Sequence, residues 1–358
     1  MINVLLFCYI FICLSLIIFN IFYILGTLFL KKRMEKNTQR WKRDIEKQVQ
    51  YLKDYQHISK KHQKYLRKKL KFVSQLSAYT NALDTFTRES IVDYLNQTYI
   101  IWQELSVDYL KKNSMKKAYF AYVISKYALD CQNEYRPILQ TLILYLKNST
   151  IYCHENVFKA LCKLGNVQSI ENALFIFNNE QWFHHKKLIA DNLIHFQGNK
   201  IELMKVLWNH VDDWNDNMMS AIVEFISRCH GPYEAEFLQY LQVSSNSLEI
   251  RLAIIRYFHT CIYEQVRNVL YSFLDEDMKE DEKLTIVAAF TLECYPGEKT
   301  ISLLKNALCH HNWYVRYNAA NSLKNLNVSY EELDDIFKGH DYYARDILTY
   351  VYSRCESI

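Results

Sequence analysis

The sequence predicts an all-α protein: a row of helical hairpins behind a single membrane-spanning helix. Three observations predict it. Only 6 Gly and 3 Pro occur in 358 residues, far below the roughly 12% of average usage, and sheet-rich folds and nucleotide-binding loops both need those turn-makers. The first thirty residues carry no charge. Beyond residue 150 an apolar stripe with a capping residue in front of it recurs every 30–35 residues, a period that marks stacked helical repeats.

The first element runs from Ile2 to Leu30. As a helix it extends about 43 Å against about 30 Å of hydrocarbon, enough to cross with tilt. The apolar run is too long for a signal peptide, and no small-x-small cleavage site closes it. Lys31, Lys32, Arg33, Lys36, Arg40, Lys42 and Arg43 follow it, and no Lys or Arg precedes it. Positive flanks stay in the cytoplasm, so the amino terminus is expected outside and the body inside. Ten scattered cysteines without a C-x-x-C pair agree with a reducing compartment.

Charge then divides the chain. Residues 31–71 hold 16 Lys/Arg and 4 Asp/Glu, a balance of +12, while the remainder carries −8. A polybasic stretch beside a membrane span attracts anionic headgroups. The seven cations named above are therefore expected at the membrane surface, with Trp41 as an interfacial anchor. Nucleic acid is the poorer partner for this segment, because the membrane already supplies a polyanion. The apolar residues Ile45, Val49, Leu52, Ile58, Leu66, Leu70 and Val73 predict a helical stalk. The expected organisation is a membrane anchor over 1–30, a basic juxtamembrane segment over 31–86 and a helical array over 87–358, regular from about 150.

The repeats show in four segments: Met218-Ile222-Ile226-Cys229, Ile250-Ile254-Phe258-Cys261, Val315-Ala319-Leu323-Leu326 and Ala344-Leu348-Tyr352-Cys355. Spacings of 4, 4 and 3 place each set along one helical stripe. Asn215, Ser247, Asn312 and Asp341 precede them as N-cap residues, whose oxygens satisfy free N–H groups. Gly165, Gly198, Gly231 and Gly297 punctuate the array at intervals of 33, 33 and 66 residues, and each is expected just past a helix end in the left-handed conformation. In three of the four stripes an arginine follows the first apolar residue: Arg251, Arg316 and Arg345. On "NWYVRYNAANSLKNL" (312–326), "SLEIRLAIIRYF" (247–258) and "DYYARDILTYV" (341–351), the chain resembles the HEAT-repeat family, particularly its short bacterial type. The resemblance implies a right-handed α-solenoid.

Enzyme signatures are missing from the sequence. It has no H-E-x-x-H, no G-x-G-x-x-G or P-loop and no G-x-S-x-G. His184-His185 and His310-His311 are neighbours, which point to different helix faces. The acidic run "DEDMKEDE" (275–282) lacks the glycine of a calcium loop and is expected to be a solvated turn. Cys162, Cys261 and Cys294 fit small packing residues. No cofactor or metal is expected. Tyr314, Tyr317, Tyr342 and Tyr343 flank the buried stripes and, with Arg251, Arg316 and Arg345, are the candidates for partner contact. The expected function is a non-enzymatic, membrane-tethered scaffold that binds a protein partner through its concave surface. Proteins of this build resemble accessories of membrane glycosyltransferases in polysaccharide synthesis. Two alternatives stand beside it: a HEAT-like chromophore lyase, and a lipid-binding module that organises the envelope.

Overall fold

The computed structural model describes residues 2–127, 136–179, 184–243, 246–275 and 281–353. Among the described residues there are twenty α-helices and no strand. Two compact units divide the chain, Met1–Ala173 and Leu174–Ile358. Cys355 and residues 276–280 of the acidic run lie outside the described residues.

Unit 1 begins with α1 (Ile2–Tyr55), a continuous helix of 54 residues. Its side chains from Tyr9 to Leu30 are almost all exposed, and it is long and apolar enough to cross a membrane. The unit continues with α2 (Lys60–Lys69), α3 (Val73–Leu83), α4 (Arg88–Asn96), α5 (Tyr99–Leu110), α6 (Ser114–Tyr127), α7 (Arg136–Leu146) and α8 (Ile151–Leu164). The unit boundary falls within α9 (Val167–Asn179).

The stalk expectation meets a different arrangement here. The second half of α1 packs against α3 and α4 through Trp41 and Ile45, so this part of the helix does not stand isolated. Trp41, expected at the membrane interface, is buried at 2% exposure. Its indole lies 5.1 Å from the Tyr65 ring and 5.3 Å from the Tyr79 ring, and its Nε1 donates to Gln75 Oε1 at 3.1 Å. A tryptophan packed against two aromatic rings and shut off from solvent gains more from that burial than from a headgroup layer. Ile45, one turn further along the same face, is fully buried too. Lys31, Lys32, Arg33, Lys36, Arg40 and Arg43 are exposed, and Lys42 is half-buried.

A buried histidine couples unit 1 to pH. His62 is 6% exposed, and its Nε2 meets the Tyr94 hydroxyl at 2.9 Å, which in turn accepts from Tyr79. Burial lowers its pKa from 6.5 to about 4. A basic group lowered in the folded state binds its proton more readily when unfolded, so stability is full above pH 6.5 and falls as pH drops towards 4. At pH 5 unit 1 is expected to lose about 2 kcal/mol relative to pH 7.5. Denaturant titrations of the full chain at both pH values check this, with His62→Asn expected to flatten the difference.

Unit 2 holds α10 (Lys186–Ile194), α11 (Lys200–Trp208), α12 (Asp216–Arg228), α13 (Glu234–Gln242), α14 (Leu248–Thr260), α15 (Arg267–Ser272), α16 (Glu282–Thr291), α17 (Glu298–Ala307), α18 (Trp313–Asn325), α19 (Asp334–Phe337) and α20 (Tyr342–Ser353). The even-numbered helices form a series: α10 packs on α12, α12 on α14, α14 on α16, α16 on α18 and α18 on α20. Each odd-numbered helix packs on the helix that follows it. Side-chain bonds repeat at matching offsets between successive helices. Asn217 Nδ2 donates to the His184 carbonyl at 2.7 Å, Asn318 Nδ2 to Ile286 at 2.8 Å and Ser322 Oγ to Ala289 at 2.8 Å.

The expected stripes are buried except at their last described residues, Cys229, Cys261, Leu326 and Tyr352, which are half-buried. Met218, Ile222 and Ile226 are at most 1% exposed, as are Val315, Ala319 and Leu323. Asn215 Oδ1 accepts from Met218 N at 2.9 Å, Asn312 Oδ1 from Tyr314 N at 2.9 Å and Asp341 Oδ1 from Ala344 N at 3.0 Å. Ser247 stands at the start of α14 but makes no side-chain cap bond. The glycine expectation holds at Gly165, which ends α8 with φ 69°. It fails at Gly198 and Gly231. At the end of α12 the left-handed residue is His230, with φ 51°. Gly231 serves close packing instead: a Cβ there would sit 2.7 Å from Met204 Sδ.

Candidate functional site

The start of α18 is fixed from two sides. Asn312 caps the helix, while its Nδ2 donates to Glu282 Oε2 at 2.7 Å. Hydrogen bonds from Asn312 and His311 hold the Glu282 carboxyl below its ordinary pKa. The helix that follows places Trp313 and Tyr317 four residues apart on one face, where their rings stack at 4.9 Å. Tyr314 meets Trp313 edge-on at 5.2 Å, and at the start of α20 Tyr342 meets Tyr343 at 5.7 Å. The Arg316 guanidinium lies 5.2 Å over the Tyr343 ring and joins the two groups.

These aromatics face solvent. Exposure is 62% at Tyr314, 65% at Tyr342, 64% at Tyr343 and 48% at Trp313. Tyr317 is half-buried beneath Trp313. Exposed aromatic clusters of this kind are unusual on a surface with no partner. Trp313 belongs to the patch, and sequence reasoning passed over it because it stands between the cap and the buried stripe. Its i, i+4 relation to Tyr317 was the available signal.

The three arginines part company. Arg316 Nη1 donates to the carbonyls of His310 and His311 at 2.7 and 2.9 Å, so its charge closes the preceding turn. Arg251, expected as a contact residue, is 4% exposed with its guanidinium 5.3 Å from the Phe273 ring. It is a core residue here because the Phe273 ring covers it. Arg345 is half-buried in α20.

A second feature crosses the even-numbered helices. A groove of about 580 Å³ runs over α10, α12, α14 and α16. Its floor includes Ala253 and Phe290, and its rim carries Lys186, Lys187, Arg228 and Arg256. Lys186 pairs with Glu249 at 3.1 Å, and Arg228 pairs with Asp191. Lys187 and Arg256 form no ion pair among the described residues. Lys187, Ser220 and Ala253 line it at a spacing of 33 residues, so the repeat period held the signal that would have found it.

His259 also lines the groove; its Nε2 meets Glu293 Oε1 at 2.7 Å, and Asn325 Nδ2 donates to the other carboxylate oxygen at 2.6 Å. Cys294 Sγ reaches the His259 carbonyl at 3.4 Å. The three donor atoms lie within 4.8 Å of one another. Burial, followed by the Glu293 charge, pushes the Cys294 thiol pKa up, so the sulfur is not activated as a nucleophile. No family of known proteins and no curated protein matches this chain.

Proposed function

We propose that the protein is a membrane-tethered scaffold whose second unit is a HEAT-like α-solenoid that binds a protein partner. The packing of each even-numbered helix on the next supports the solenoid reading, since repeats of this kind bury their apolar stripes only against neighbours. The observation that carries the binding role is the exposed cluster of Trp313, Tyr314, Tyr342 and Tyr343. Tyrosine and tryptophan offer large contact area at low entropy cost, and they dominate interface hot spots. The groove rimmed by Lys187 and Arg256 extends the surface open to a partner on the same unit. Tethering raises the concentration of this unit next to membrane proteins. A membrane glycosyltransferase of polysaccharide synthesis is the partner class we favour.

The body lies on the cytoplasmic side in this proposal, for the cations from Lys31 to Arg43 follow the span. Protease added to intact cells should therefore leave residues 31–358 whole and cleave them only after lysis. Digestion in unbroken cells would reverse the orientation. The scaffold itself is tested by cross-linking the intact chain in membranes and recovering its partners. Failure to recover any integral-membrane protein reproducibly would remove the reading.

A further inference from the structure

We propose that one end of unit 1 is a second membrane contact, a lysine-rich face with apolar tips that rests on anionic lipid headgroups. This deepens the tether reading and rests on α1 being inserted.

Distances fix which end of each helix is nearest the bilayer. The helix α2 runs back along α1, because Ser59 N donates to Gln48 Oε1 at 3.0 Å whereas Tyr65 lies 5.1 Å from Trp41. Its last turn therefore points towards the span. From there α3 runs outward again, with Gln75 bonded to Trp41 and Tyr79 reaching Tyr94. The helix α5 follows the direction of α2: Arg67 pairs with Glu104 at 2.8 Å and Lys71 with Asp108 at 3.0 Å. The Tyr109 hydroxyl donates to the Leu70 carbonyl at 3.0 Å, and Lys112 Nζ reaches the Lys71 carbonyl. Tyr145, in the last turn of α7, donates to the Ser106 carbonyl. The turns α2–α3, α5–α6 and α7–α8 thus gather at the end from which α1 enters the membrane.

Those three turns share a composition. They carry Lys69 and Lys71, then Lys111, Lys112 and Lys116, then Lys147. Asp108 is the one acidic residue in stretches 63–78, 105–120 and 143–153, and it already pairs with Lys71. Phe72 and Met115 project from the first two turns at 63% and 61% exposure. The start of α6, "SMKK", sets lysines where a helix favours acids. Asn113 Oδ1 accepts from Lys116 N and Lys117 lies 5.9 Å over the Tyr145 ring, but neither lysine forms an ion pair among the described residues, and an anionic surface would supply one. At the opposite end charges of both signs mix: Asp54, Asp84, Glu89 and Asp93 stand with Lys53, Arg88 and Lys126.

The height is right for contact. Trp41 stands eleven residues beyond Leu30, about 16 Å along the helix, and the α2–α3 turn lies roughly 5 Å closer to the span. Headgroups fill roughly 5–7 Å beyond the hydrocarbon. The remaining gap is within the Debye length of about 8–10 Å, and tilt of the over-long apolar helix narrows it further. Lys31, Lys32 and Lys36 on α1 lie between these turns and the span. Each lysine near such a surface strengthens attachment about fivefold.

Amide hydrogen exchange on the full chain in phosphatidylcholine nanodiscs, with and without phosphatidylserine, tests the proposal. Exchange at residues 70–73 and 111–117 should slow by about tenfold when phosphatidylserine is present at low salt. High salt should abolish the protection, as should the variant Lys111→Glu/Lys116→Glu/Lys147→Glu. Exchange in α3 serves as the folding check, and is expected to be unchanged. Equal exchange in both lipids with the chain still held in the disc would overturn the lysine face alone. Protection that ignores lipid charge and the triple variant would overturn it as well. Release of the chain by alkaline carbonate would overturn both the face and the tether.

Discussion

Trp41→Ala is expected to destabilise unit 1 by about 3–5 kcal/mol, the cost of emptying a buried aromatic site. The indole fills the space between Tyr65 and Tyr79 at 2% exposure, and Gln75 loses its donor when the ring is removed. Amide exchange of α2 and α3 in the full chain should speed by two orders of magnitude or more, in proportion to the lost stability. Trp41→Phe keeps a ring in the site and should cost less than half as much. An interfacial role would give another result. In that case α3 would keep its protection, and the substitution would alter lipid attachment only.

Partner recovery is the second large effect. Tyr342→Ala should reduce the cross-linked yield by roughly 30-fold, the scale of a truncated aromatic hot spot. The ring is 65% exposed, so its removal should change the stability of unit 2 by no more than about 0.5 kcal/mol. Trp313→Ala should weaken recovery as strongly, with some loss of stability because it also covers Tyr317. Thermal unfolding of each variant separates the two effects. Unchanged recovery from both variants would assign the patch no binding role.

The caps and stripes of unit 2 were open to sequence reading because they depend on residues within one or two helical turns. Asn215, Asn312 and Asp341 act on N–H groups two or three positions away, and a spacing of 4, 4 and 3 is the helix period itself. Glycine was a weaker guide. A left-handed helix end needs any residue that tolerates positive φ, and His230, Asn148 and Asn327 serve as well as Gly165. The arginine step misled at Arg251, whose environment is set by Phe273, twenty-two positions away. Lys187 and Arg256 escaped notice, since each is an ordinary exposed cation until four successive helices line up.

The stretch "KKRMEKNTQRWKR" shows where local reading stops. Its composition speaks for a membrane surface, and most of its cations are exposed. Trp41 leaves that surface because Tyr65, Gln75 and Tyr79, contributed by two later helices, close over it. The amino-acid order alone determined the helical content, the apolar span and the helix starts, for each follows from composition or from neighbours one turn away. Tertiary structure decided which aromatics stay uncovered and which lysines meet at one end of unit 1. Both depend on chain segments tens of residues apart, and only packing brings those together.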